Sequence, residues 1–145
     1  MSIDMAASEV SAGGVVVRGH ECVVIVPTRR AADGSKVLAL PKGHPEAGEE
    51  PVEAALREVR EETGVEARPV EQLGEVRYWY QRDGRRIAKR VDFFLLEYTG
   101  GHVEDHDHEV EVARWMPLAE AAEALTYAGE REMVEKALSR VGPDG

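Results

Sequence analysis

The sequence predicts a layered α/β domain, and three observations carry the prediction. Short β-branched runs alternate along the chain with helical segments instead of segregating from them. One segment, residues 50–63, is strongly helical between a proline start and a glycine stop. With 145 residues, 43% of them hydrophobic, the chain can bury one ordinary core without disulfides or structural metals. It is therefore read as a single domain over 1–145, with flexible tails at 1–8 and 142–145.

Residues 10–18 (VSAGGVVVR) and 21–27 (ECVVIVP) read as two strands joined by a turn at Gly19-His20, a pair expected to open the sheet. A turn at Ala32-Asp33-Gly34 leads to another short strand at Lys36–Leu40, which Pro41 ends. From Glu50 to Thr63 the run EPVEAALREVREET is helical, with Pro51 suited to the first turn and Gly64 to the C-terminal cap. Val52, Ala55, Leu56 and Val59 recur at helical spacing, so that face should lie on a sheet. Val65–Arg82 and Arg85–Tyr98 read as long strands around the hairpin dipeptide Asp83-Gly84. A polar loop at 99–108, a last strand at Glu109–Met116 and helices at Pro117–Leu125 and Glu130–Val141 complete the order.

Composition excludes several functions. A net charge of -10 argues against a protein that grips nucleic acid through its overall field, so any anionic substrate must be held locally. No run approaches a membrane span, and MSIDMAASEV lacks the basic start and apolar core of a signal peptide. Cys22 is the only cysteine, so no internal disulfide can form, and a reducing cytoplasm is the simplest setting. Within an apolar run it reads as packing.

The chemistry is concentrated at Glu58, Glu61 and Glu62. On a helix these positions are related by i, i+3 and i+4, so three carboxylates share a stripe roughly 100° wide beside the apolar face. Like charges at that spacing destabilise a bare helix by about 0.2–0.5 kcal/mol per pair, so something positive is expected there. Hard oxygen donors with no cysteine nearby favour Mg²⁺ or Mn²⁺ over zinc.

The segment GHPEAGEEPVEAALREVREETGV resembles the Nudix box at every specified position: Gly43, Glu49, Arg57, Glu58, Val59, Glu61, Glu62, Gly64 and Val65. The resemblance implies a Nudix-type α/β/α sandwich with a mixed, mostly short-stranded sheet, and a hydrolase that splits phosphoanhydride bonds of nucleoside-diphosphate-linked substrates. It implies that Glu58 and Glu62 are the main Mg²⁺ ligands and Glu61 a further ligand or support. Arg57 would orient these carboxylates and pair with Glu49, while Gly43 and Gly64 let the loop–helix–loop close tightly. Many family members draw a general base or extra metal ligand from a loop outside the box. Here that loop offers Glu104, Asp105, Asp107, Glu109 and Glu111, of which Glu109, six residues before Trp115, best resembles the extra carboxylate. His102, His106 and His108 alternate with acids in no closed four-ligand zinc pattern, so their loop is read as mobile surface.

The run LPKGHPEAGE, Leu40 to Glu49, resembles the diadenosine polyphosphate hydrolase branch. Tyr78 and Tyr80 lie near where that branch places its substrate tyrosine, and Lys89 resembles its phosphate-contacting lysine. Lys42, His44, Tyr78, Tyr80 and Lys89 are the substrate-binding candidates: cations for a polyphosphate, aromatic rings for adenine. Other Nudix substrates, namely (d)NTPs, ADP-ribose, diphosphoinositol phosphates or a capped RNA end, are the nearer rivals, and a non-catalytic nucleotide sensor the further one. The box has lost no carboxylate, which favours catalysis. The long hairpin edge could pair with a second subunit in a homodimer.

Overall fold

The computed structural model describes residues 7–142. In chain order the elements are β1 (Ala7–Arg18), β2 (Glu21–Pro27), β3 (Lys42–Gly43), α1 (Pro51–Thr63), β4 (Val65–Arg82), β5 (Arg85–Gly101), a 3-10 turn (Val103–Asp105), β6 (Val110–Pro117), α2 (Leu118–Ala124) and α3 (Ala128–Val141). The strands form one mixed sheet in the order β4-β5-β1-β2-β6, with β3 paired to β1 outside that path. β1 runs parallel to β5, from Ala7↔Ile87 to Val17↔Glu97, and every other pairing is antiparallel.

The alternation of side chains along β1 divides the core between two faces. Val15 on one face packs with Val24, Val91, Phe93, Leu95 and Met116 under Leu118 of α2, Leu125 just after it, and Met133, Val134 and Ala137 of α3. Val16 on the other packs with Val23, Leu96 and Val59 of α1. Ala12 meets Ala54 and Ala55, small residues that let α1 come close to β1. The result is the layered α/β domain that the alternating pattern predicts, in the α/β/α sandwich form that the Nudix resemblance implies.

The sheet is split at its centre. β1 and β2 pair only at Val17↔Cys22 and Arg18↔Glu21, next to their turn, and then diverge. The segment entering the gap bridges β2 at Ile25↔Ala39 and pairs with β1 at Ala12↔Gly43 and Gly13↔Lys42. The two amino-terminal strands thus form the middle of the sheet, and the chain between them and α1 threads its opening.

The strand expected at Lys36–Leu40 is replaced by that single bridge. Ala39 exchanges both backbone hydrogen bonds with Ile25, at 2.8 and 2.9 Å. The flanking N–H groups turn elsewhere: Leu38 donates to the Thr126 hydroxyl at 2.8 Å and Leu40 to the Glu130 carboxylate at 2.9 Å. Side chains between and within α2 and α3 thus take the donors that a strand neighbour would otherwise satisfy.

Helix α1 begins where Pro51 follows Glu50, whose N–H donates to Glu53 Oε1 at 2.8 Å. It ends at Gly64, left-handed at φ 76°. Its buried residues are Ala54, Ala55, Val59 and Thr63, so Ala54, and not the expected Val52, completes the inner face. The β4–β5 hairpin turns at Asp83 and Gly84, with φ of 54° and 75°, the left-handed pair of a tight hairpin turn. Of the tails expected at 1–8 and 142–145, residues 1–6 and 143–145 lie outside the described residues, while Ala7 and Ser8 already pair with β5.

Candidate active site

Helix α1 carries its carboxylates to the split. Glu58 lies against the backbone of β3, so close that a Cβ on Gly43 would overlap its carboxylate. One turn on, Glu62 Oε1 accepts the Lys42 backbone N–H at 2.9 Å. The short strand therefore contributes an uncovered backbone to one acid and a donor to the other.

Arg57 organises the rest of the box. Its Nε and Nη2 form a bidentate pair with Glu49, at 2.8 and 3.0 Å, and Nη2 also donates to the His44 carbonyl at 2.9 Å. Its Nη1 reaches Glu58 Oε2 at 3.0 Å and Glu61 Oε1 at 3.1 Å. The guanidinium beside Glu49 holds that carboxyl at about 2, well below the usual range. One cation thus ties the loop before the helix to two acids on it, as the resemblance implied for Arg57 and Glu49.

Burial acts in the opposite direction on the inner acids. It is the largest cause raising Glu58, with Glu61 and Glu109 adding repulsion against the pull of Arg57. It also pushes Glu62 up to about 8, with Glu58 and Asp107 adding repulsion against the Lys42 N–H. Two desolvated oxygen donors with surplus negative charge suit a hard divalent cation. Among the described residues no group of three or more His, Cys, Asp or Glu stands ready as a cage. Glu61 is drawn toward Arg57 and its side chain is 47% exposed. An incomplete protein shell of this kind fits Mg²⁺, which typically takes one or two carboxylates and completes its sphere with phosphate and water.

The acidic loop closes over the end of α1. Asp107 N–H donates to the Glu61 carbonyl at 3.0 Å, and Asp107 Oδ1 accepts the Glu109 N–H at 3.1 Å. Glu109 is exposed, and its carbonyl accepts the N–H of Thr28 at 3.0 Å. Gly64 has a second reason to be glycine here, since a Cβ would strike the His102 carbonyl oxygen and Asp105. The stretch His102–His106 is therefore packed against the helix cap and not a loose surface loop.

Four of the five substrate candidates converge on the sheet face that carries α2 and α3. Tyr78 stands opposite Lys89 in the β4–β5 register, and Lys89 opposite Glu9 in the β5–β1 register. Lys89 Nζ donates to Ser11 Oγ at 2.7 Å and lies 3.6 Å from Glu9 Oε1. Burial and the charge of Lys42 lower its pKa, against the pull of Glu9. The Tyr80 hydroxyl donates to Glu9 at 2.5 Å, and Arg82 adds a second bond to the same carboxylate at 2.7 Å. Tyr78 is 43% exposed, with its ring 6.4 Å from that of Tyr80. The fifth candidate, His44, is exposed, and its Nδ1 is 3.2 Å from the Val10 carbonyl on β1.

Lys42 joins the two halves. Its backbone faces Glu62, while its Nζ is 3.0 Å from Glu130 Oε2 on α3. Burial lowers the Lys42 pKa, but the charge and hydrogen bond of Glu130 outweigh it and the net shift is upward. Sequence reasoning missed Glu130, Glu9 and Ser11. For Glu130 a signal was available: it falls on the helical stripe of Met133, Val134 and Ala137, where an acid is out of place unless it has buried partners.

A carboxylate-bearing helix set against a glycine in the split of a mixed sheet, with helices on both faces, defines a Nudix domain. The NUDIX domain family matches residues 7–137, and the chain belongs to the Nudix hydrolase family. It is 40% identical over 134 residues to the putative mutator protein MutT4 of Mycobacterium tuberculosis, spanning 89% of this chain and 54% of that protein, about half its length. To the asymmetrical bis(5'-nucleosyl)-tetraphosphatase of Mus musculus it is 37% identical over 99 residues, 68% of this chain and 67% of that one. The solved NUDIX hydrolase from Nitrosomonas europaea superposes with a TM-score of 0.71 at 22% identity, covering 89% of this chain and 87% of that one, a likeness of fold. No helix of the described residues is long and apolar enough to cross a membrane.

Proposed function

We propose that the protein is a Mg²⁺-dependent hydrolase of phosphoanhydride bonds, acting on a dinucleoside polyphosphate of the diadenosine type. In this reading Glu58 and Glu62 are the principal metal ligands, with Mn²⁺ able to replace Mg²⁺, and Glu61 is a further or supporting ligand. Arg57 orients the carboxylates, and Glu109 is the extra acid from the loop. When bound, the metal lowers the pKa of water and neutralises charge on the phosphates. The chain's own residues do the positioning: Lys42 and Lys89 bind the phosphate chain, and Tyr78 and Tyr80 offer rings for stacking on a base. His44 fits less well than the other four, because its ring faces the β1 backbone.

The observation that carries the reading is the two-sided role of Lys42. Its residue contacts an acid of α1 through the backbone and points its ammonium toward the face bearing Lys89 and Tyr78. In this reading the phosphate chain lies at the split, between the two faces, where it meets these cations while its scissile bond reaches the acids. The mouse tetraphosphatase relative supports the dinucleoside class. The buried Cys22, pushed up to about 12 by desolvation, suits a reducing cytoplasm, and the β4 edge suits a homodimer.

A substrate panel with Mg²⁺ tests the choice. Diadenosine tetraphosphate is expected to be hydrolysed with a higher kcat/KM than (d)NTPs, ADP-ribose or diphosphoinositol phosphates. Turnover no faster than that of simple triphosphates would refute the dinucleoside assignment.

A further inference from the structure

Helix α3 sends one acid into the core. Glu130 is 4% exposed, sits in the first turn of the helix, and uses its two oxygens differently. Oε1 accepts the backbone N–H of Leu40 at 2.9 Å, and Oε2 lies 3.0 Å from Lys42 Nζ. The first bond fixes the chain as it enters the split. The second fixes the direction of a lysine whose side chain is itself only 26% exposed.

A buried carboxylate is costly to desolvate, and replacing a buried ion pair by apolar residues is often neutral or stabilising. Stability therefore gives a weak reason for this pair, whereas aiming a lysine gives a specific one. A free lysine side chain has rotamer freedom that a substrate would otherwise have to remove when it binds. With Glu130 in place, that freedom is removed before the substrate arrives.

We infer that Glu130 is a positioning residue: it holds Lys42 aimed at the substrate phosphates and so couples the carboxy-terminal helix to the strand beside the α1 carboxylates. This inference rests on the placement of Lys42 in the phosphate site proposed above. Glu130 touches no substrate; it acts through Lys42.

Glu130→Gln separates the two bonds. The amide oxygen still accepts from Leu40, while the NH₂ group faces an ammonium and cannot hold it. The probe is β,γ-methylene ATP with Mg²⁺, titrated by calorimetry, because loss of folded protein lowers the number of sites and leaves Kd unchanged. For Glu130→Gln, Kd should rise about 10- to 100-fold, the range for a hydrogen bond to a charged group. Lys42→Met should weaken binding at least as much, and adding Glu130→Gln to it should change nothing further. Should the single Gln variant fold poorly, the double variant Lys42→Met/Glu130→Met fills the same space with apolar atoms and should bind like Lys42→Met alone.

Wild-type Kd in Glu130→Gln beside weak binding in Lys42→Met would overturn the positioning role alone. So would losses that multiply in the double variant. Wild-type Kd in Lys42→Met, or no binding of the probe to the unmutated protein, would overturn the phosphate site and the inference together.

Discussion

At the scale of single residues, the site depends on what is missing at Gly43 as much as on what is present at Glu58. The acid occupies the space a side chain on Gly43 would need, and its carboxylate is the movable end of that contact. Gly43→Ala should therefore displace Glu58 without unfolding the protein. Kcat is expected to fall about a hundredfold, the scale of a roughly 1 Å misplacement in a catalytic group, with the far-ultraviolet spectrum unchanged. Activity within a few-fold of wild type would mean that the Glu58 position is not critical. Glycine at 43 was legible from the box, although its contact with Glu58 was not. The burial of Glu130 was legible from its place on the apolar stripe of α3, but its partners were not, and neither were the roles of Glu9 and Ser11, because these contacts join residues 71 to 90 positions apart along the chain.

Among elements, those governed by local rules match the sequence closely. The bounds of α1 follow from Pro51 and Gly64, and those of the β4–β5 hairpin from Asp83-Gly84. The segment at Lys36–Leu40 departs because the partners of its N–H groups sit on distant helices, and β-branching or alternation carries no information about them. The end of α1 offers a direct check. Gly64→Ala places a side chain at φ 76° and into the His102 carbonyl, a backbone atom that cannot step aside. It should cost more than about 1 kcal/mol, seen as a lower midpoint in urea at unchanged slope. An unaltered midpoint would show that the cap and the following loop do not depend on each other.

Across the whole molecule, a net charge of -10 is reconciled with an anionic substrate by division of labour. Acids gather on α1 at the split, where a cation is needed, and lysines gather on the opposite face of the sheet, between β1, β3 and β5. The alternation of elements predicted a layered α/β domain, and the box predicted the sandwich and the acids. The split itself came only with the register, since two residue pairs between β1 and β2 cannot be told from a full hairpin in one sequence. The central claim is that Glu62, held by the Lys42 N–H at that split, is a ligand of the catalytic metal. Glu62→Gln keeps an oxygen for that bond and removes the charge. Phosphate-product release with Mg²⁺ should drop by at least about a hundredfold, a scale set by loss of one electrostatic contributor in an active site. Mg²⁺ should also raise the melting temperature of the unmutated protein and leave that of the variant where it was. Equal rates of product release from the two proteins, both folded, would contradict the account.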